Sequence, residues 1–133
     1  MATKVQARKE LAHSALYFAA YEAGKAAGEA KVPQPMVVRD MIGLSNRPDP
    51  DGQRYVVPSG VCGFAQVNVR PGTSSFARWL VKAGIGRKAY YGGVDIPIHE
   101  HGQSYEQKAA HAGALARVLQ AGGVDCRSQA QLD

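Results

Sequence analysis

The sequence predicts an α/β fold: a small three- to four-stranded sheet with two helices on one face, plus an N-terminal helix and a proline-rich arm. Three observations predict it. Apolar and polar residues alternate over Val61–Arg70 and again over Val94–His99, the period of a half-buried strand. Each of these stretches is followed by a turn carrying a capping hydroxyl, three of them in the first turn and Ser104 in the second, and then by an apolar stripe at helical spacing. Five of the seven prolines fall within residues 32–60, so a different kind of chain separates the Ala-rich beginning from the rest. The resulting division is an N-terminal helix over 1–31, a Pro-rich linker or arm over 32–59, and a compact β-α-β-α-β domain over 60–133.

Thr3 and Gln6 have capping-box spacing, in which each side chain satisfies an orphan N–H of the other, and so open the first helix. It runs to about Lys31, before Pro33. Its large apolar groups are few: Leu11, Leu16, Tyr17, Phe18 and Tyr21. Gly24 and Gly28 form a small-xxx-small spacing that permits close helix approach, which makes a second copy of the chain an expected partner. The arm carries turn chemistry from Asn46 to Gly52 and short extended pieces at Met36–Val38 and Tyr55–Val57.

In the compact domain, Val61, Gly63, Ala65, Val67 and Val69 take the core face of the first strand. Phe64, Gln66, Asn68 and Arg70 take the other, with Cys62 before them. Pro71-Gly72 ends it, and Thr73, Ser74 or Ser75 caps a helix with the stripe Phe76, Trp79, Leu80 and Ala83. Gly84 is placed for a left-handed C-terminal turn with Ile85 folding back. Pro97 lacks an N–H, which makes Val94–His99 an edge strand. Parallel neighbours would require right-handed crossovers. Ser104 and Gln107 form a second capping box, opening a helix that runs to about Ala121. At 100° per residue Lys108, Leu115 and Leu119 share its core stripe. Val124 to Leu132 closes the sheet.

With 133 residues and an apolar fraction of 45%, the chain supports one core. No apolar run approaches ~18 residues, so no membrane partner is expected. The N-terminus lacks the apolar stretch of a signal peptide. Cys62 and Cys126 lie on separate strands, able to face each other, and are read as reduced thiols. The net charge of +5 is local: no acid occurs between Asp51 and Asp95, while Arg54, Arg70, Arg78, Lys82, Arg87 and Lys88 do. An anionic partner is therefore the leading expectation.

Two constellations carry it. Arg70-Pro-Gly-Thr-Ser-Ser75 precedes a helix N-terminus, where free N–H groups favour a phosphate, with Thr73 and Ser74 adding hydroxyls; ordinary capping accounts for the hydroxyls equally well. Arg87, Lys88, Tyr90 and Tyr91 interleave cations with aromatic rings, which suits the backbone and bases of single-stranded nucleic acid. The competing reading is a buried Tyr with snorkelling cations. Asp95, His99 and His101 would share one strand face, but a fourth donor is missing and His111 sits on the helical stripe, so no metal and no cofactor is expected. Gly102-Gln-Ser104 and Lys108-Ala-Ala110 are similar to the last helix of double-stranded-RNA-binding domains. The preceding element order differs, and the match is read as convergent capping.

GVCGFAQVNVRPGTSSFARWLVKAG, YYGGVDI and GQSYEQKAAHAGALARVLQAGGVD give residues 60–133 a pattern that resembles small uncharacterised bacteriophage-encoded proteins. The resemblance implies a protein of the infected bacterium's cytoplasm or of the virion, and assigns no mechanism. The functional expectation is a small basic protein that binds nucleic acid or a nucleotide without catalysis. Its site would be Gln66, Asn68, Arg70, Thr73, Ser74, Arg87, Lys88, Tyr90 and Tyr91. The alternatives are a phage structural or host-interacting protein, using the helix and arm for protein contacts as a homo-oligomer, and a small metal-dependent enzyme.

Overall fold

A computed structural model describes residues 3–43, 45 and 47–133. The chain is α/β. Helix α1 (Lys4–Ala30) leads to strands β1 (Met36–Arg39) and β2 (Arg54–Val57). The compact part follows as β3 (Gly63–Val69), α2 (Ser75–Lys82), β4 (Arg87–Lys88), β5 (Val94–Pro97), α3 (Tyr105–Ala121) and β6 (Cys126–Leu132). The large sheet is four-stranded in the order β4-β5-β3-β6, and every pairing in it is antiparallel. From β3 onward this is the β-α-β-β-α-β connectivity of ferredoxin-like domains, a topology that hosts many unrelated functions.

From Gly63 to Val69 the period-two pattern places the core as expected, whereas Val61 precedes β3 and is 37% exposed, so it does not join the core face. Ala65, Val67, Val69, Val94 and Ile96 pack on one side of the sheet with Phe76, Ala77 and Leu80 of α2 and Ala112, Leu115 and Leu119 of α3. Both helices thus lie on one face. Ala77 joins the α2 stripe, while Ala83 is exposed as the helix cap. Gly84 is left-handed (φ 76°) and Ile85 N–H donates back to Leu80 O at 3.0 Å, the expected terminal turn.

Three expectations are corrected. The strand carrying Pro97 is interior, because the two-residue β4 lies outside it. That strand pairs only Asp95 and Val94, so Pro97 projects past its end, where the missing N–H has no neighbour to disappoint. Cys62 and Cys126 do not face each other: they stand at opposite ends of the β3–β6 ladder, where Cys126 lies across from Val69 and Cys62 precedes Gly63. Burial pushes the Cys126 thiol up to about 11, and its Sγ approaches Ala116 O at 3.6 Å. The chain leaves β5 at Pro97, so His99 and His101 do not share a strand face. His99 is exposed, and His101, at φ 71°, turns to the helix layer.

Helix α1 forms a third layer on α3 of its own chain. The capping box is present, with Gln6 N–H donating to Thr3 Oγ1 at 3.1 Å and Thr3 N–H to Gln6 Oε1 at 3.0 Å. Gly24 and Gly28 are buried against His111 and His101, so the close approach they permit is used within the chain. In the second capping box only Ser104 acts as expected. Gln107 instead donates to Gly28 O and Lys31 O at 3.3 and 3.4 Å, fastening the end of α1 to the start of α3.

The arm is a two-stranded antiparallel ribbon, with Met36 opposite Val57 and Arg39 opposite Arg54. Its stems are tied to α3 by Gln34 N–H donating to Glu106 Oε2 at 2.6 Å. Of the turn expected over residues 46–52, Asn46 lies outside the described residues. Beyond it Asp49 makes an Asx turn, accepting from Asp51 N–H at 2.9 Å.

The α1–α3 interface contains a titratable pair. His101 Nε2 and His111 Nδ1 share a hydrogen bond of 2.9 Å, while His111 Nε2 is buried with no partner among the described residues. Burial holds the His111 imidazole below its ordinary value; His101 adds to this and Glu100 opposes it. The folded-state value lies below the unfolded one, so the unfolded chain takes up the proton first. Stability is full above about pH 6.5 and falls as pH drops through that value towards the lower folded-state one. Thermal unfolding between about pH 7.5 and about pH 5 should show this fall, and His111→Gln should reduce it. An unchanged melting temperature in the parent would contradict it.

Candidate nucleic-acid interface

Among the described residues no helix covers the second face of the four-stranded sheet. Alternation sends Phe64, Gln66 and Asn68 of β3, and Arg70 just after it, to this face, and the register sets the neighbours of the first three. Asn68 lies between Asp95 and Arg127, Gln66 between Pro97 and Gln129, and Phe64 beside Gln131; Arg87 stands outside Asp95. Phe64 is 48% exposed. Arg70, Arg87 and Arg127 are all exposed, against two nearby carboxylates, Asp95 and Asp125.

One end of this face is built by internal polar contacts. Asn68 is buried; its Nδ2 donates to Gly92 O at 3.0 Å and Asp95 Oδ1 at 2.8 Å. Arg70 Nε donates to Asn68 Oδ1 at 2.8 Å, and its Nη2 to Tyr91 O at 3.1 Å. Ala89 N–H donates to Gly93 O at 3.0 Å, closing the β4–β5 hairpin. Gly93 sits at φ 76°, where an added Cβ would meet Val69 O at 2.6 Å, so only glycine fits the close packing of this turn. Held this way, the hairpin tip presents Tyr90 and Tyr91 at 94% and 87% exposure, in edge contact with ring centroids 4.9 Å apart.

The structure therefore separates the nine expected site residues. Gln66, Asn68, Arg70, Arg87, Tyr90 and Tyr91 gather on the open face and its tip. Asn68 acts there as a brace, and Gln66 Nε2 donates to Gln129 Oε1 at 3.0 Å. Thr73 and Lys88 line a cleft of about 390 Å³ on the helix side of the hairpin, with Arg78 and Val81. Ser74 is the N-cap of α2, accepting from Ala77 N–H at 3.2 Å. The remaining bases of the acid-free stretch disperse: Arg54 lies on the ribbon, and Lys82 pairs with Glu10 of α1 at 2.7 Å.

Sequence reasoning missed Arg127, Gln129 and Gln131, which the alternation of Cys126–Leu132 places on the open face, and it placed Lys108 on the helical core stripe without making it a site residue. Among the described residues no three His, Cys, Asp or Glu side chains gather as metal ligands, and no helix is long and apolar enough to cross a membrane. Compared with known proteins, the chain matches no family model, and no curated protein or solved structure is significantly similar to it.

Proposed function

We propose that the open sheet face and its tyrosine-tipped hairpin bind single-stranded nucleic acid without catalysis, in the phage setting that the sequence pattern implies. One observation carries this reading: two almost fully exposed tyrosines stand on a hairpin whose backbone Asn68 and Arg70 bond at Gly92 and Tyr91, at the end of a face bearing Phe64, Arg87 and Arg127. Cations that follow a backbone and rings that take bases are the two parts such binding needs. Four-stranded sheets with exposed aromatic residues serve RNA recognition in the same way, an analogy of architecture only.

Charge removal tests the reading. Arg87→Ala and Arg127→Ala should each weaken binding alike for all sequences. Each should flatten the dependence of log affinity on log salt by about 0.7, the value for one phosphate contact with a single strand. Lys88→Ala, on the other side of the hairpin, should leave the slope unchanged. A folded Arg87→Ala/Arg127→Ala protein that binds as the parent does would overturn the proposal.

The ribbon supports a second reading, protein contact with a phage or host protein or a second copy. Val37, Val38, Met41, Ile42, Tyr55 and Val56 are 44–59% exposed on it, a run of apolar surface that no described element covers. Light scattering of the full chain reads one arm of this: a mass of one 14.2 kDa chain would remove the second copy.

A further inference from the structure

Lys108 is the only lysine, arginine or carboxylate buried among the described residues, at 8% exposure. It rises from the first turns of α3, in the helix layer, yet its ammonium stands 5.7 Å from the centroid of the Phe64 ring, which belongs to the open face. The side chain passes the edge of β3 where β5 has ended, alongside Ala65 and Ile98. Among the described residues the ammonium makes no hydrogen bond and no ion pair. The buried part is the stem; the ammonium reaches the cleft with the Phe64 ring beside it, and a cation presented this way favours an anionic partner.

That ammonium lines a cleft of about 480 Å³, together with Phe64, Gln66, Arg87, His99 and Gln131, a size that suits a small ligand. Asp95 also lines it, but its Oδ1 accepts from Asn68 and it lies across the ladder from Arg87. The cleft thus offers two cations, one half-exposed aromatic ring and two amides.

We propose that this cleft takes a phosphomonoester, the 5′-phosphate of a nucleic-acid strand or of a free mononucleotide, with Lys108 as its counter-ion and Phe64 under the adjoining base. The proposal rests on the reading of this face as a nucleic-acid interface and names what its far end recognises. A terminal phosphate carries about −1.5 to −2 charges at neutral pH, which matches Lys108 and Arg87 together; an internal diester carries one. The tyrosine tip and the lysine cleft lie at opposite ends of the open face, so a strand whose 5′ end is held at Lys108 can run along β3 to the hairpin.

Fluorescence anisotropy with the full chain and 3′-labelled oligonucleotides tests this, comparing 5′-phosphorylated with 5′-hydroxyl forms of one sequence. The parent should bind the phosphorylated form at least about tenfold more tightly. Lys108→Met, which keeps the packing of the stem, should remove that preference and leave the affinity for the 5′-hydroxyl form unchanged. Equal binding of the two forms, with Lys108-dependent binding of a nucleoside 5′-monophosphate, keeps the phosphomonoester and assigns it to the free nucleotide. Equal binding of both forms and no such nucleotide binding overturns the cleft while leaving the interface standing. Loss of all oligonucleotide binding overturns the interface itself. Should circular dichroism show Lys108→Met unfolded, Arg87→Ala, at the exposed second cation of the cleft, reads the same preference and should reduce it; an undiminished preference would contradict the assignment.

Discussion

Gly24→Val is expected to destabilise the protein by about 3 kcal/mol, the upper end of the usual cost of overpacking. A Cβ at Gly24 would stand 2.6 Å from His111 Cδ2 and 2.9 Å from His111 O. The ring is fixed by its bond to His101 and the carbonyl belongs to α3, so neither yields without moving one helix off the other. Gly113, also inside a helix, is the control. There a Cβ meets only the end of the Arg117 side chain at 3.5 Å, and Gly113→Ala should stabilise by about 0.4–1 kcal/mol through helix propensity and a less flexible unfolded chain. Chemical denaturation of the three proteins reads both effects. Equal stability of Gly24→Val and the parent would mean that α1 does not pack on α3 through this contact.

Tyr90→Ala and Tyr91→Ala should each reduce affinity for single-stranded nucleic acid by about 1–3 kcal/mol, roughly 5- to 150-fold, with little change in salt slope. The rings are 94% and 87% exposed, so their removal leaves the core untouched and a loss of binding cannot be traced to unfolding. Tyr91 is held through its backbone oxygen by Arg70, which survives truncation of its side chain. The hairpin therefore keeps its position while the stacking surface disappears. If both tyrosines are replaced and affinity stays within twofold of the parent, the tip is no platform for bases and the protein-contact reading of the molecule moves ahead.

Much of this fold was legible because its elements obey local rules. The alternation of Gly63–Val69, the cap at Thr3 and the left-handed Gly84 all act within a few residues and are where the sequence predicts them, and the α2 cap is Ser74, one of the three hydroxyls that the sequence offers. What escaped depends on distant partners. Two residues, Arg87 and Lys88, are too few to show a period, so β4 was invisible and Pro97 read as an edge signal. The Gly24/Gly28 spacing announces a close neighbour without saying which, and that neighbour is α3 of the same chain. The site was legible in part for the same reason. Residue types at Asn68 and Arg70 advertise donors, but only the fold shows those donors spent on the hairpin. Ser74 capping and the turn of His101 into the helix layer likewise follow from where the chain goes next. Lys108 did leave a trace: it shared a core stripe with Leu115 and Leu119, an unusual place for a lysine, and its burial gives that trace a meaning.

Binding of labelled single- and double-stranded DNA and RNA by the full chain across a salt series tests the central claim most directly. The expected result is binding of single strands at about 50 mM salt, with log affinity falling linearly in log salt by about 0.7 per phosphate contact, and weaker binding of duplexes, whose bases cannot reach Phe64, Tyr90 or Tyr91. No binding of any of the four at about 50 mM salt, a condition that exposes even weak phosphate contacts, would contradict the account.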